Sequence, residues 1–213
     1  LLEAAHFEVR AGNGAASLAF LRSLMLRMPH QGSVYCEVCR AESVLGKQHA
    51  ALRVAEHGVK QCQKYGPLWF VLTRQAEKLY GAGAVNEYAT FARQHVCHEL
   101  HWKFHIEVAA AFSLDAQTQA SRQSVTSAAL CCPGHLRWKV WLLAARAELW
   151  NDSVDVSCKL LARARQEAPP RVQSAICIEF ARTKEFSGSL EEARVLLAEA
   201  RTCEGHDWKV FLE

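Results

Sequence analysis

The chain has 213 residues, half of them hydrophobic, and its 25 lysines and arginines against 22 aspartates and glutamates leave a net charge of +3. That balance excludes an extended disordered chain and the strongly basic footprint of a dedicated nucleic-acid binder. Apolar stretches such as Val108 to Leu114 and Val140 to Ala145 are far too short to cross a bilayer, and the opening residues carry no signal-peptide pattern.

Glycine and proline punctuate the chain in two alternating sets. Gly12-Asn13-Gly14, Gly46, Gly81-Ala82-Gly83, Asn151-Asp152 and Gly188 suit tight turns within helical hairpins. Pro29, Gly66-Pro67, Cys132-Pro133-Gly134 and Pro169-Pro170 suit the links between them. In chain order this predicts six hairpins, at about 1–31, 32–66, 67–99, 100–134, 135–170 and 171–206, and the first turns of a seventh from Asp207. The whole of 1–213 then reads as one repeat array. It is taken as part of a longer chain, because it opens Leu1-Leu2-Glu3 without methionine and stops inside a repeat at Glu213.

A register of aromatic residues supports the division. Tyr35 precedes Trp69 by 34 residues. Trp69, Trp102, Trp138 and Trp208 follow at steps of 33, 36 and 70, with Ser174 near the mark midway between the last two. Self-similarity at this period means stacked hairpins, none of which buries its apolar face without a neighbour.

First helices carry large apolar residues on one face: Trp69, Leu72, Ala76 and Leu79 in hairpin three, and Trp138, Trp141, Leu142, Ala145 and Leu149 in hairpin five. Trp138 and Trp141 are expected to be the central packing residues of hairpin five. Second helices carry smaller residues, as in Leu190, Ala193, Leu196, Leu197 and Ala200. Ser189 and Glu192 spell a capping box after the Gly188 turn. At the carboxyl end Trp208, Val210, Phe211 and Leu212 begin a first helix whose partner is missing, which predicts an open apolar end. The expected fold is therefore all-α, a right-handed superhelical solenoid of antiparallel hairpins, with first helices along one wall and second helices along the other.

Candidate sites are few. Cys36-x-x-Cys39 lacks two further zinc ligands at a recognised spacing, His57 and Cys62 being the nearest, so these thiols read as small core residues. Nine cysteines, an odd number scattered through helices, fit a reducing intracellular compartment better than a disulfide framework. His95, Cys97, His98, His101 and His105 read as a polar junction between hairpins, with a metal-bridged or pH-sensitive contact as the alternative. Arg137, Lys139, Arg146, Lys159, Arg163, Arg165 and Arg171 form a basic cluster in hairpin five. Within it Lys159 and Arg163 adjoin at i, i+4 and suit a phosphate or an acidic segment. Of the six tryptophans, Trp150, beside the Asn151-Asp152 turn, is the expected exposed exception. Gly81-Ala82-Gly83 lacks the Lys-Ser/Thr of a phosphate loop, and no nucleophile elbow is present. Neither catalysis, a cofactor, a resident metal nor a small-molecule substrate is expected.

Trp69 with Glu77, Tyr35 with Glu42, Trp141 with Glu148, and the run Leu190-Glu191-Glu192-Ala193-Arg194-Val195-Leu196-Leu197-Ala198-Glu199-Ala200 give the chain its family likeness. They resemble the half-a-TPR (HAT) repeat, a relative of the tetratricopeptide repeat. Hairpins one and four depart from the pattern, the first lacking the aromatic and the fourth having Glu107 too early, and hairpin six has Ser174 where the aromatic belongs. The resemblance implies a non-catalytic scaffold that organises other protein subunits in an RNA-processing assembly: splicing, 3'-end processing, ribosome biogenesis or organellar mRNA maturation. It implies a nuclear location, with a plastid or mitochondrion as the alternative. Two other readings stay open: a TPR-like adaptor in a cytoskeletal, ciliary or organellar complex, and a direct RNA binder. Lys159, Arg163, Arg137, Lys139 and Arg171 are the partner-binding candidates. Tyr35, Trp69, Trp102, Trp138, Trp141 and Trp208 are the repeat-packing candidates.

Overall fold

The computed structural model describes residues 2–203, and among these it places twelve α-helices and no strand. The all-α repeat expectation holds. The helices come as pairs: Leu2–Arg10 (α1) and Gly14–Arg27 (α2); Gly32–Val44 (α3) and Gln48–Gln61 (α4); Gly66–Tyr80 (α5) and Ala82–Arg93 (α6); His101–Leu114 (α7) and Thr118–Cys131 (α8); Arg137–Trp150 (α9) and Val154–Glu167 (α10); Gln173–Phe186 (α11) and Leu190–Thr202 (α12). Trp208, Val210, Phe211, Leu212 and the expected seventh hairpin lie outside the described residues. The chain divides into two compact units, Leu1–Ala111 and Phe112–Glu213.

One device makes the turn inside nearly every hairpin. Gly12, Gly46, Gly81, Ala116, Asp152 and Gly188 all have positive φ and recur every 34 to 36 residues. After five of them the next amide reaches back to a carbonyl five residues earlier: Asn13 to Glu8, Lys47 to Glu42, Gln117 to Phe112, Ser153 to Glu148 and Ser189 to Lys184, at 2.8–2.9 Å. This closure satisfies carbonyls left over at the end of the first helix. Gly81 makes a tighter turn, in which its own amide meets Glu77 O at 2.9 Å and α6 begins at once. Ala116 and Asp152 hold φ of 57° and 56° without glycine's freedom, a local strain imposed by the repeat.

The capping box expected at α12 is not formed. Ser189 makes no side-chain cap, and its hydroxyl lies 3.3 Å from that of Ser187. The Glu192 carboxylate turns instead to Lys184 Nζ at 2.6 Å. A full charge on the preceding helix outcompetes one amide for it.

In the first unit the core begins with Ala5, Leu18, Leu21, Leu24, Val34, Val38 and Ala41, shared by α1, α2 and α3. It continues through Tyr35, Leu68, Trp69, Leu72, Ala76, Val85 and Phe104, all buried. Gly58 lets α4 approach its neighbours, since a Cβ there would stand 2.8 Å from both Leu68 Cδ2 and Tyr35 Cγ. In the second unit Val140, Trp141, Ala144 and Ala145 of α9 join Leu161 and Ala164 of α10 and Ile176, Cys177, Ile178 and Ala181 of α11 in burial. Small residues dominate the buried faces of its second helices, as Ala164, Ala193 and Ala200 show. Trp141 is 8% exposed, whereas Trp138 is half-buried. Three residues turn a helix through 300°, so the two rings lie on neighbouring lines of the surface and Trp141 has the inner one.

Candidate functional site

The aromatic register positions each hairpin on the link before it. Tyr35 Oη donates to Pro29 O at 3.0 Å and Trp69 Nε1 to Gln63 O at 2.7 Å, in each case six residues back. The rings are buried, and their polar ends tie down the inter-hairpin backbone. Trp102 and Trp141 are buried too, but their Nε1 atoms find no hydrogen-bond partner. Their contribution is packing. Trp150 stands exposed at the end of α9.

The basic cluster of hairpin five is largely occupied by its own protein. Arg163 lies 4.1 Å from the centre of the Trp141 ring and 3.2 Å from Glu167. Arg146 is bidentate to Glu179, Arg165 meets Glu199 at 2.9 Å, and Lys139 sits 5.4 Å over the Trp138 ring. Arg137 is partly buried, with its Nε lacking a partner. Lys159 and Arg171 are exposed and form no ion pair with another described residue. The i, i+4 spacing of Lys159 and Arg163 is real, but a phosphate would have to compete with Trp141 and Glu167 for Arg163.

Ion pairs between successive hairpins recur at repeat spacing. Arg74 pairs with Glu107 and Arg146 with Glu179, each linking one first helix to the next across 33 residues. Arg22 pairs with the buried Glu42, and Arg122 grips the nearly buried Glu148 through Nε at 2.8 Å and Nη2 at 2.7 Å. Glu107, out of place as a packing-motif glutamate, is the acceptor that Arg74 requires. The sequence signal was available as opposite charges one repeat apart, but it is visible only once helix faces are known.

Two depressions in the first unit present polar chemistry. One, of about 540 Å³ between α3 and α5, is lined by Arg40, Arg74 and Lys78 with Glu37 and Ser43, and Lys78 Nζ lies 3.2 Å from Ser43 Oγ. The other, of about 370 Å³ among α4, α5 and α6, is lined by Trp69, Leu72, Tyr88, Phe91, His95 and Glu56. Tyr88 donates to Glu56 at 2.9 Å, and burial together with that carboxylate pushes its phenol up to about 12. His95 stacks on Trp69 with ring centres 5.3 Å apart.

Burial raises Cys36 to about 11 and Cys39 to about 12, with Glu37 adding to the first and Cys36 to the second, so both stay protonated and unreactive at neutral pH. None of the nine cysteines is joined in a disulfide among the described residues. Burial, with Arg93 and His101 adding to it, lowers His105 to about 4. Among the described residues no group of three or more His, Cys, Asp or Glu is arranged to hold a metal ion, and no helix is long and apolar enough to cross a membrane.

Comparison with known proteins agrees with this architecture. A TPR-containing protein of Dictyostelium discoideum is 33% identical over 138 residues, which is 64% of this chain and 11% of that protein, so the chain spans about a tenth of that relative's length. Among solved structures, BtubC (BKLC) from P. vanneervenii superposes with a TM-score of 0.61 at 12% identity, covering 92% of this chain and 89% of that one. PilW, a type IV pilus biogenesis factor, gives 0.60 at 9% identity over 99% of this chain and 94% of its own. Cut9 with Hcn1 from the APC/C gives 0.54 at 11% identity over 98% and 40%. At these identities the structures show a shared fold and nothing more. The profile of the PRP6, TPR-like domain matches residues 1–213, so the HAT and TPR-like resemblance is confirmed and the chain belongs to the PRP6 TPR-like domain family.

Proposed function

We propose that the chain is a non-catalytic scaffold that organises protein partners within a nuclear RNA-processing assembly, with splicing as the process its family name favours. The match to the PRP6, TPR-like domain over the full 213 residues carries this reading. Hairpin repeats present extended surfaces rather than a convergent set of reactive groups. Protein contact is favoured over RNA contact because Arg146, Arg163 and Arg165 are already paired with carboxylates. Within the reading, Lys159 and Arg171, with the outer edges of Arg137, Lys139 and Arg163, are offered to an acidic protein segment.

The test is affinity purification of the tagged full-length protein from nuclear extract, with and without ribonuclease, followed by mass spectrometry. RNA-processing proteins retained after ribonuclease support the proposal. Loss of every partner on ribonuclease treatment would replace scaffolding with RNA tethering. A partner set without RNA-processing proteins would overturn the assignment of the assembly.

A further inference from the structure

The first-helix ends that fall in the second unit are large apolar residues that point into solvent. Leu114 closes α7, Trp150 closes α9 and Phe186 closes α11, exposed by 68, 78 and 60%. Each stands two residues before the left-handed residue of its turn, at Ala116, Asp152 and Gly188. A single exposed apolar side chain is ordinary on a protein surface. The same exposure at the same position of three consecutive hairpins is a surface.

The rungs are neighbours. Asn151, next to Trp150, donates to the hydroxyl of Ser113, next to Leu114, at 3.0 Å, and Ser113 donates in turn to Ala147 O at 3.2 Å. Arg146 and Glu179 join α9 to α11 further from the rungs, four residues before Trp150 and seven before Phe186. Leu190, just after the Gly188 turn, is exposed as well.

Charge around the rungs selects the occupant. From three residues before to five after each left-handed residue, the second unit has Asp115, Asp152, Asp155, Glu185, Glu191 and Glu192, and neither lysine nor arginine. Glu191 and Glu192 are held by Arg194 and Lys184 just outside these windows. The same windows of the first unit contain Arg10, Lys47 and Lys78 and no carboxylate. The acidic rim is therefore a property of the second unit's turn edge and not of the repeat in general.

We infer that the edge formed by Leu114, Trp150 and Phe186 docks a basic amphipathic helix of a partner protein, with its apolar face seated on the rungs and lysines or arginines facing the acidic rim. This goes beyond the scaffold assignment, and it stands whichever assembly the protein serves.

The probe is a fluorescein-labelled leucine/lysine amphipathic peptide of about 18 residues, five helical turns, with an otherwise identical leucine/glutamate peptide as its opposite. Fluorescence anisotropy with the 213-residue chain is expected to give micromolar binding of the lysine peptide and at least about tenfold weaker binding of the glutamate peptide. Trp150→Gln with Phe186→Gln should weaken the lysine peptide about tenfold or more. Asp155→Asn with Glu185→Gln should weaken it less, and mainly at low salt. Val44→Gln with Tyr80→Gln, at first-helix ends of the first unit, should leave it unchanged. All these side chains are exposed, and far-UV circular dichroism confirms that the variants fold. Equal binding of the two peptides, no loss with the Trp150/Phe186 pair, or an equal loss with the Val44/Tyr80 pair overturns the inference. So does sedimentation showing a dimer of the chain that the Trp150/Phe186 pair dissolves, because the occupant is then a second copy. Partner recovery in the ribonuclease experiment can fail without touching these outcomes.

Discussion

Arg122 and Glu148 tie α8 to α9, and their unequal burial makes a sharp prediction. The Glu148 side chain is 8% exposed and accepts two hydrogen bonds from a guanidinium that is itself 46% exposed. Arg122→Ala strips both donors from a carboxylate that water reaches poorly. Removing one partner of a fully buried pair costs about 3–5 kcal/mol. Because Arg122 borders solvent, water enters part of the space it leaves, and about 2 kcal/mol is the appropriate figure here. Glu148→Gln keeps the volume and one acceptor and releases the arginine to solvent, at about 1 kcal/mol.

The double variant should resemble Glu148→Gln alone, since without the carboxylate there is no charge to strand. That corresponds to a coupling energy of about 2 kcal/mol. In a chain of this length Arg122→Ala should lower Tm by roughly 4–8 °C. Urea unfolding followed by both far-UV circular dichroism and tryptophan fluorescence measures the cycle, with coincidence of the two probes checking that one transition is observed. Equal costs for the two single variants, or additive losses in the double variant, would refute the reasoning, because the asymmetry comes solely from which partner is buried.

Trp141→Ala should destabilise by about 3–5 kcal/mol and Trp138→Ala by clearly less, since the first ring is enclosed and the second half-buried; urea midpoints decide the order. Replacing Ala116 or Asp152 with Gly relieves a positive φ and should raise stability by about 0.5–1 kcal/mol, whereas Gly46→Ala should lower it by a similar amount, all read as shifts in Tm. Lys159→Glu should change stability by less than about 0.5 kcal/mol, but Arg163→Glu should lose about 1 kcal/mol through its contacts with Trp141 and Glu167, so only the first separates binding from folding in a calorimetric melt. His105, at about 4 in the fold against an ordinary 6.5, is protonated first in the unfolded chain as the pH falls, so the stability linked to it is complete above pH 6.5 and declines from there towards pH 4. His105→Gln should flatten that part of the pH profile of Tm, and an unchanged slope would remove His105 as its source.

The hairpin period was legible because each repeat must turn twice and because Tyr35 and Trp69 recur where their polar ends fasten the preceding link. The sharper repeat mark is the left-handed residue, and it hides in two of six places. Glycine marks Gly12, Gly46, Gly81 and Gly188, but Ala116 carries no chemical sign of its φ. Counting from tryptophans rather than from turns also aligned Trp138 with Trp69, although Trp141 is the enclosed ring of its hairpin. The acceptor role of Glu107 was illegible for a related reason. A charge takes its partner from the helix face opposite it, and that face follows from the packing rotation of α5 against α7, which composition does not encode. The capping box failed for want of the same information, since Lys184 lies outside the motif that Ser189 and Glu192 spell.

The ion pairs explain why a near-neutral chain with many arginines is a poor guide to its own partners. Arg22 and Arg74 in the first unit, and Arg122, Arg146 and Arg165 in the second, each hold a glutamate of another hairpin. Their charges fix the rotation and register of one hairpin against the next, a task the small alanine-rich second helices leave to polar groups. Arginine suits it better than lysine because its planar fork holds a carboxylate in two bonds, as at Glu107, Glu148 and Glu179. A basic cluster counted from sequence therefore overstates the charge available to a ligand. Lys159 and Arg171 of hairpin five and the apolar residues at the first-helix ends take no part in this internal pairing. Repeat packing needs none of these at the surface, so a large exposed ring such as Trp150 or Phe186 points to contact with another molecule more directly than any arginine in the chain.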